Sequence, residues 1–388
     1  MTASAPSQAM VGAVLSARYR LLRLLGEGGM GAVFEAQDLM GQGRYAVKVL
    51  HPEYAREERV LSRLYAEAEA MSRLVHPNIA RCFGYALAED RSPYLIMELL
   101  EGASLASYLK PGLAYEPQYA IPIVLGILMA LAEAHRQGIV HRDVKPDNVF
   151  LVPNPAGPPV VKVLDFGIAK VMDAAGGMMS KTRTGMLLGT PSYMSPEQIR
   201  NAKAVDHRAD LWSVSVLFYE LLSGREAFSA PNELAKLTMI LTGDMSPIDQ
   251  GRPALAPFRG FFARAFAPDV EQRFASAVQM SEAVATVERA VRAGGVVGGA
   301  PASTTDMSPE LPKGVSLRAA PPQVQIVTSP SVAPRKSVRA PDLDQTLRAS
   351  DAPFVSLPAA GVRAWIVVVV AIVCLAIGFA AGFAVGQL

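Results

Sequence analysis

The chain has 388 residues and a formal net charge of +2, from 37 Lys and Arg against 35 Asp and Glu. That balance, with no long basic run, excludes a surface built to grip nucleic-acid phosphates, and two lone cysteines, Cys82 and Cys374, exclude a disulfide framework and point to a reducing compartment. No Cys/His metal cluster and no internal repeat stands out.

Residues 1–18 form a tail with neither a charged n-region nor an apolar h-region, so no secretory leader is expected there. The apolar run Leu21 to Leu25 then reads as a strand entering Gly26-Glu27-Gly28-Gly29-Met30-Gly31-Ala32-Val33. Glycines admit positive φ and let backbone N–H groups approach phosphates with no Cβ in the way. The pattern alone is weak, because dinucleotide-binding folds and ordinary hairpins carry it too. Here Ala32 to Ala36 continues as a strand, and Tyr45 to Leu50 is another, with Lys48 among apolar neighbours. A dinucleotide fold needs a helix directly after the glycines, so that reading loses. Arg56 to Leu74 has the apolar spacing of a helix, and a carboxylate on it is expected to pair with Lys48, since a lysine in an apolar strand is costly unless paired.

Tyr94 to Gly102 reads as a strand running into a connecting segment. His141-Arg142-Asp143-Val144-Lys145-Pro146-Asp147-Asn148 follows, and then Asp165-Phe166-Gly167. These place an acid, a cation and two metal-ligand side chains in the order that phosphoryl transfer requires. They resemble the catalytic-loop and metal-loop template of the protein kinases, and that resemblance implies that Asp143 would accept or orient a substrate hydroxyl proton, Lys145 would reach the transferring phosphate, and Asn148 and Asp165 would offer hard oxygen ligands to Mg²⁺.

With Gly-Glu-Gly-Gly-Met-Gly and Gly-Thr-Pro-Ser-Tyr-Met-Ser-Pro-Glu-Gln, these motifs resemble the bacterial, eukaryotic-like (Hanks-type) serine/threonine protein kinases over about Tyr19 to Arg292. The resemblance implies an α+β, bilobal protein-kinase-like fold, with a β-rich small lobe over about 19–100 and a helical large lobe over about 101–292. It implies ATP as cosubstrate, with Mg²⁺ as the metal and Mn²⁺ as its alternative, and proteins bearing Ser or Thr as acceptors. Lys48 would contact the α- and β-phosphates, and family spacing selects Glu67 as its partner over Glu69, which fits a solvated helix face. Gly26, Gly28 and Gly31 would cradle phosphates; Leu25, Val33, Ala46, Phe150 and Leu164 would sandwich adenine; Met97 would back the pocket; Glu98 and Leu100 would offer hinge backbone groups.

The segment from Asp165 to Ser195-Pro196-Glu197 resembles an activation loop. A phosphate on Ser180, Thr182 or Thr184 would pair with Arg142 and Lys170 and order the loop. Thr190, in Gly-Thr-Pro, resembles the family threonine that touches the catalytic aspartate. Glu197 is expected to pair with Arg273 as a buried salt bridge, and Asp210, opening an apolar helix to Leu222, to hold the backbone of the catalytic loop.

Residues 293–362 are dominated by Gly, Pro, Ala, Ser and Val and are nearly free of aromatics, so they read as a disordered linker of roughly 45 Å root-mean-square span. Within 363–388, Ala364 to Val385 carries no ionisable group but the thiol of Cys374, long enough for one C-terminal transmembrane helix. Basic residues precede the span, so the positive-inside rule keeps the kinase cytoplasmic, as a single-pass, C-terminally anchored protein of the cell (inner) membrane, with Trp365 as interfacial anchor. Gly378, Gly382 and Gly386 share one helical face that would let two such helices pair as a homodimer. The expected function is a membrane-anchored, autophosphorylating serine/threonine protein kinase in signalling; the alternative is a membrane-anchored, nucleotide-binding pseudokinase scaffold.

Overall fold

The computed structural model describes residues 7–28, 31–41, 43–51, 58–166, 191–201 and 205–293. Residues 19–98 supply most of a six-stranded antiparallel sheet: β1 (Val14–Leu15), β2 (Tyr19–Gly28), β3 (Gly31–Asp38), β4 (Arg44–Leu50), β5 (Cys82–Leu87) and β6 (Pro93–Glu98), in the order β1-β2-β3-β4-β6-β5. The glycine-rich stretch spans the end of β2 and the start of β3, which pair antiparallel up to Gly28 opposite Gly31, as the strand-turn-strand reading requires. Helix α1 (Glu58–Arg73) interrupts the meander between β4 and β5.

Side chains alternate across a strand, and β6 shows what that does here. Tyr94 and Ile96 join Leu21, Phe34, Val47 and Val49 in a core on one face of the sheet. Leu95, between them, points the other way and joins Ala68, Met71 and Leu74 of α1 in a core continuous with the large lobe. Apolar packing therefore crosses the lobe boundary through α1.

The large lobe begins with β7 (Ala103–Ser104), which forms a small sheet with β8 (Val149–Val152) and β9 (Val160–Val163) in the order β7-β8-β9. Its helices are α2 (Pro117–Arg136), α3 (Pro196–Asn201), α4 (Arg208–Ser223), α5 (Glu233–Thr242), α6 (Arg259–Ala265) and α7 (Ala277–Ala293). Proline suits the first turn of α2, where an N–H lacks a partner in any case. By length and composition α2 is apolar enough to cross a membrane, but Ile121, Val124, Ile127, Leu128 and Leu131 are buried in the large-lobe core.

Helix α4 is the axis of this lobe, with Trp212, Leu217, Phe218 and Tyr219 fully buried. Phe258, Phe261, Phe262 and Phe266 surround it; Trp212 stacks on Phe228 at 5.5 Å and meets Phe266 edge-on at 5.1 Å. Burying each such ring stabilises the fold by about 1.5–3 kcal/mol. The helix ends at Gly224 in the left-handed conformation, φ 66°, with its N–H on Glu220 O, and a Cβ there would meet the Leu113 backbone at 2.9 Å.

Lys170, Ser180, Thr182, Thr184 and Thr190 lie outside the described residues, as do 294–388 with Gly378, Gly382 and Gly386. The sheet also begins earlier than expected: β1 lies inside residues 1–18, the stretch read from sequence as a tail.

Candidate active site

Strand register gathers the small-lobe residues. Val33 pairs with Lys48, which pairs with Leu95, and in the next row Ala46 pairs with Met97. Because Val47 and Ile96 occupy the opposite face with the core, Val33, Ala46, Lys48 and Met97 share the face that carries Leu95 and α1. Across from them Phe150 on β8 and Leu164 after β9 are half-buried, as is Leu100 in the hinge, while Leu25 is exposed. A Cβ on Gly26 or Gly28 would meet nothing within 4 Å, so these two leave open space for a ligand. Gly31 has a different reason to be glycine: with φ at 150°, a Cβ would fall 2.0 Å from Val49 O, so only glycine lets β3 approach β4 there.

The hinge glutamate is engaged on three sides. Its N–H donates to Arg81 O at 2.9 Å, and its carboxylate accepts from Arg81 N–H at 3.2 Å and from Lys162 Nζ at 2.9 and 3.1 Å. Glu98 thus ties β6 both to Arg81, just before β5, and to the large-lobe strand β9.

Lys48 departs from expectation. Its Nζ donates to Asp165 Oδ2 at 2.7 Å, and among the described residues it forms no ion pair with Glu67, which lies half-buried on α1. A buried ammonium takes the carboxylate nearest to it in space, and sequence spacing along a helix does not measure that distance. Glu69 meets Arg73 on the exposed face, as a solvated helix residue does. Burial pushes the Asp165 carboxyl up, but Lys48, with His141 and Lys145 adding to it, more than reverses this and holds the group below the usual carboxylate range. Asp165 is therefore an anion, and with the Asn148 amide oxygen it supplies hard oxygen donors that suit Mg²⁺ or Mn²⁺.

In the catalytic loop, Lys145 Nζ donates to Asp143 Oδ2 at 2.8 Å, and Asn148 Nδ2 donates to Asp143 O at 2.8 Å and to Asp143 Oδ2 at 3.0 Å. Among the described residues Oδ1 of Asp143 accepts no hydrogen bond, so one oxygen stays open to a substrate hydroxyl. Arg142 and Asp165 both adopt left-handed backbone, φ 67° and 58°. Such conformations cost a non-glycine residue about 1–2 kcal/mol and persist only where surrounding contacts enforce them.

For Arg142 those contacts converge on Asp210, which is fully buried. Its Oδ1 accepts from Arg142 N–H at 2.7 Å and its Oδ2 from His141 N–H at 2.9 Å, as expected from sequence. A third partner, His135 Nε2 at 2.8 Å, had no signal in the sequence. His141 is a second hub: its Nε2 meets Leu164 O at 2.7 Å, its Nδ1 accepts from Asp143 N–H at 3.2 Å, and its ring lies 4.6 Å from Phe166. Gln198 Nε2 closes the loop onto α3 through Arg142 O at 2.8 Å. Glu197 and Arg273 pair as expected, Nη1 reaching the two carboxylate oxygens at 3.0 and 3.1 Å, with the guanidinium 4.7 Å from the Trp212 ring. Tyr193 donates its hydroxyl to Glu220 at 2.5 Å, a buried pair that spacing gave no means of finding.

The family described as Protein kinase domain matches residues 19–281. The chain is 39% identical over 303 residues to the serine/threonine-protein kinase Pkn1 of Myxococcus xanthus, covering 76% of this chain and 42% of that protein. It is also 39% identical over 251 residues to the serine/threonine-protein kinase PknA of Mycobacterium tuberculosis, covering 64% of this chain and 54% of that protein. The chain thus spans about half the length of these relatives, or less. Among solved structures, the Mycobacterium tuberculosis PknI kinase domain superimposes with a TM-score of 0.55 at 25% identity, covering 71% of this chain and 98% of that one.

Proposed function

Because this chain belongs to the protein kinase family, in its bacterial serine/threonine branch, we propose that it transfers the γ-phosphate of ATP to serine or threonine hydroxyls of proteins. The observation that carries the reading is the cluster of Asp143, Lys145 and Asn148: a carboxylate with one oxygen held by a cation and an amide, and the other accepting no hydrogen bond from the described residues. The open oxygen of Asp143 orients the acceptor hydroxyl and takes its proton as the hydroxyl oxygen bonds to the γ-phosphorus. The bond from that phosphorus to the β–γ bridging oxygen breaks, and ADP leaves. Lys145, bonded to the same carboxylate, offers its charge to the transferring group, and Lys48 contacts the α- and β-phosphates. Mg²⁺ would be held by Asn148 and Asp165, and when bound it neutralises charge on the phosphate oxygens.

Asp143→Asn tests this: phosphate incorporation into a protein substrate is expected to fall by at least about 10²-fold with the fold and Mg·ATP affinity retained. Undiminished transfer would refute the assignment.

The reading extends to regulation and location. Autophosphorylation on Ser180, Thr182 or Thr184 would recruit Arg142 and Lys170, and Ala364 to Val385 would hold the protein in the cell membrane with the kinase cytoplasmic. The charge-free run of that segment, and the Gly378, Gly382 and Gly386 face for pairing, support it. Confinement raises effective concentration, so autophosphorylation is expected to run faster in bilayers than for residues 1–292 in solution at equal concentration. Equal rates would count against the anchor.

A further inference from the structure

Ser7 to Leu15 precede the residues matched to the family, yet they are built into the small lobe along the edge of β2. Val14 and Leu15 pair with Arg20 and Tyr19; Gly12 N–H then donates to Leu21 O at 2.8 Å, and Leu21 N–H to Ala13 O at 2.9 Å. Met10 and Val11 pack against the small-lobe core.

One end of this segment is fixed. The turn into β2 places Ser16 and Ala17 at φ 48° and 52°, left-handed positions that glycine or asparagine would normally fill. Pins hold the strained turn: Ser16 Oγ donates to Leu87 O at 3.1 Å and accepts from Tyr94 Oη at 2.8 Å, while Arg18 forks onto Asp38 at 3.0 and 2.8 Å.

From that base the antiparallel pairing with β2 extends as far as Leu21, and a short 3₁₀ helix, Gln8–Met10, then carries the segment on to the other end of the strand. There Ser7 Oγ donates to Glu27 Oε1 at 2.6 Å. Ser7 itself is buried at 7% exposure, and Glu27 stands between Gly26 and Gly28, the two glycines with open space beside them. A hydroxyl-to-carboxylate bond of this length is charge-assisted. It joins the glycine-flanked end of β2 to a segment anchored at the far end of the sheet.

The consequence concerns the cost of binding. Glycines leave a loop many conformations, and ordering it around a ligand subtracts from affinity; a loop already restrained gives up less. The hydroxyl also disperses the charge of a carboxylate that stands in a loop meant for a polyanion. We infer that Ser7 is a positioning residue, and that Ser7 to Leu15 form a splint that pre-orders the glycine-rich loop for a nucleoside triphosphate. This rests on the kinase reading above.

The test uses the full chain, with Mg·ATP affinity measured by calorimetry and KM and kcat measured on a protein substrate. Ser7→Ala is expected to weaken Mg·ATP binding and raise its KM by about three- to tenfold, with kcat within about twofold. Ser7→Thr, which keeps the hydroxyl, should restore both. In a Glu27→Ala background the Ser7→Ala change should add nothing further, since the two act through one bond. Parent-like affinity in Ser7→Ala, a Thr variant as weak as Ala, or a full Ser7 penalty without Glu27 would each overturn the splint. If the parent binds no Mg·ATP, it is the kinase reading that fails. The splint is then decided by amide hydrogen exchange at Gly26 to Gly28: it is expected to be about tenfold faster in Ser7→Ala than in the parent, and equal rates overturn it.

Discussion

Lys48 Nζ and Asp165 Oδ2 stand 2.7 Å apart, joining β4 of the small lobe to the turn after β9 of the large lobe through one ion pair. The ammonium is nearly buried and the carboxylate about a quarter exposed. Breaking such a pair by removing one partner leaves the other charge poorly solvated.

Lys48→Met is therefore expected to lower stability by about 2 kcal/mol at neutral pH, a value reduced for the exposure of Asp165. The folded-state pKa of Asp165 is depressed, so the contribution of the pair is present above the ordinary carboxylate range and is lost as pH falls through the folded-state value. Denaturant midpoints at neutral and strongly acidic pH check this. An equal deficit at both would show that the ion pair is not its source.

The glycines at the end of β2 and the start of β3 should separate by role. Gly31→Ala drives a Cβ into Val49 O and is expected to destabilise the small lobe by about 2–3 kcal/mol. Gly28→Ala meets open space and should leave the melting curve nearly unchanged while weakening nucleotide binding. Similar melting curves for the two variants would contradict the steric account.

Glu220 gives a pH signature. Burial pushes its carboxyl up to about 7, with the Tyr193 hydroxyl opposing and Glu226 reinforcing. A folded-state value above the unfolded one means that its stabilising contribution is complete below about pH 4.5 and is lost as pH rises through 7. The loss across that window is roughly 2–3 kcal/mol. Glu220→Gln should flatten the fall in stability between pH 5 and 8; an unaltered slope would assign it to other groups.

The Arg273 guanidinium is buried against Trp212 and donates to Glu197, Ala267 O and Pro268 O. Arg273→Met is expected to cost about 3–4 kcal/mol, because it strands the Glu197 carboxylate and leaves backbone oxygens without donors. Glu197→Gln, which preserves an acceptor, should cost clearly less by chemical denaturation.

How much of this was legible depended on the distance along the chain between partners. Asp143, Lys145 and Asn148 lie within one short loop, so their spacing stated their geometry. Asp210 and the Glu197 and Arg273 pair were legible through family resemblance, since nothing local brings them together. The partner of Lys48 was not, because choosing between Glu67 and Asp165 requires knowing how α1 and the turn after β9 sit against β4. His135 beside Asp210, Lys162 on Glu98 and Ser7 on Glu27 left no trace for the same reason. Strand β1 escaped because two residues are too few for alternation to show.

Asp210 has one more consequence. The carboxylate that holds His141 and Arg142 grows from α4, the most enclosed helix among the described residues of the large lobe. A loop moored to the periphery would let go early on heating, and chemistry would fade while the bulk of the lobe stood intact. This loop is moored to the centre, so its alignment and the integrity of the lobe are one cooperative event: on a thermal ramp, loss of turnover and loss of helical signal are expected to trace the same curve.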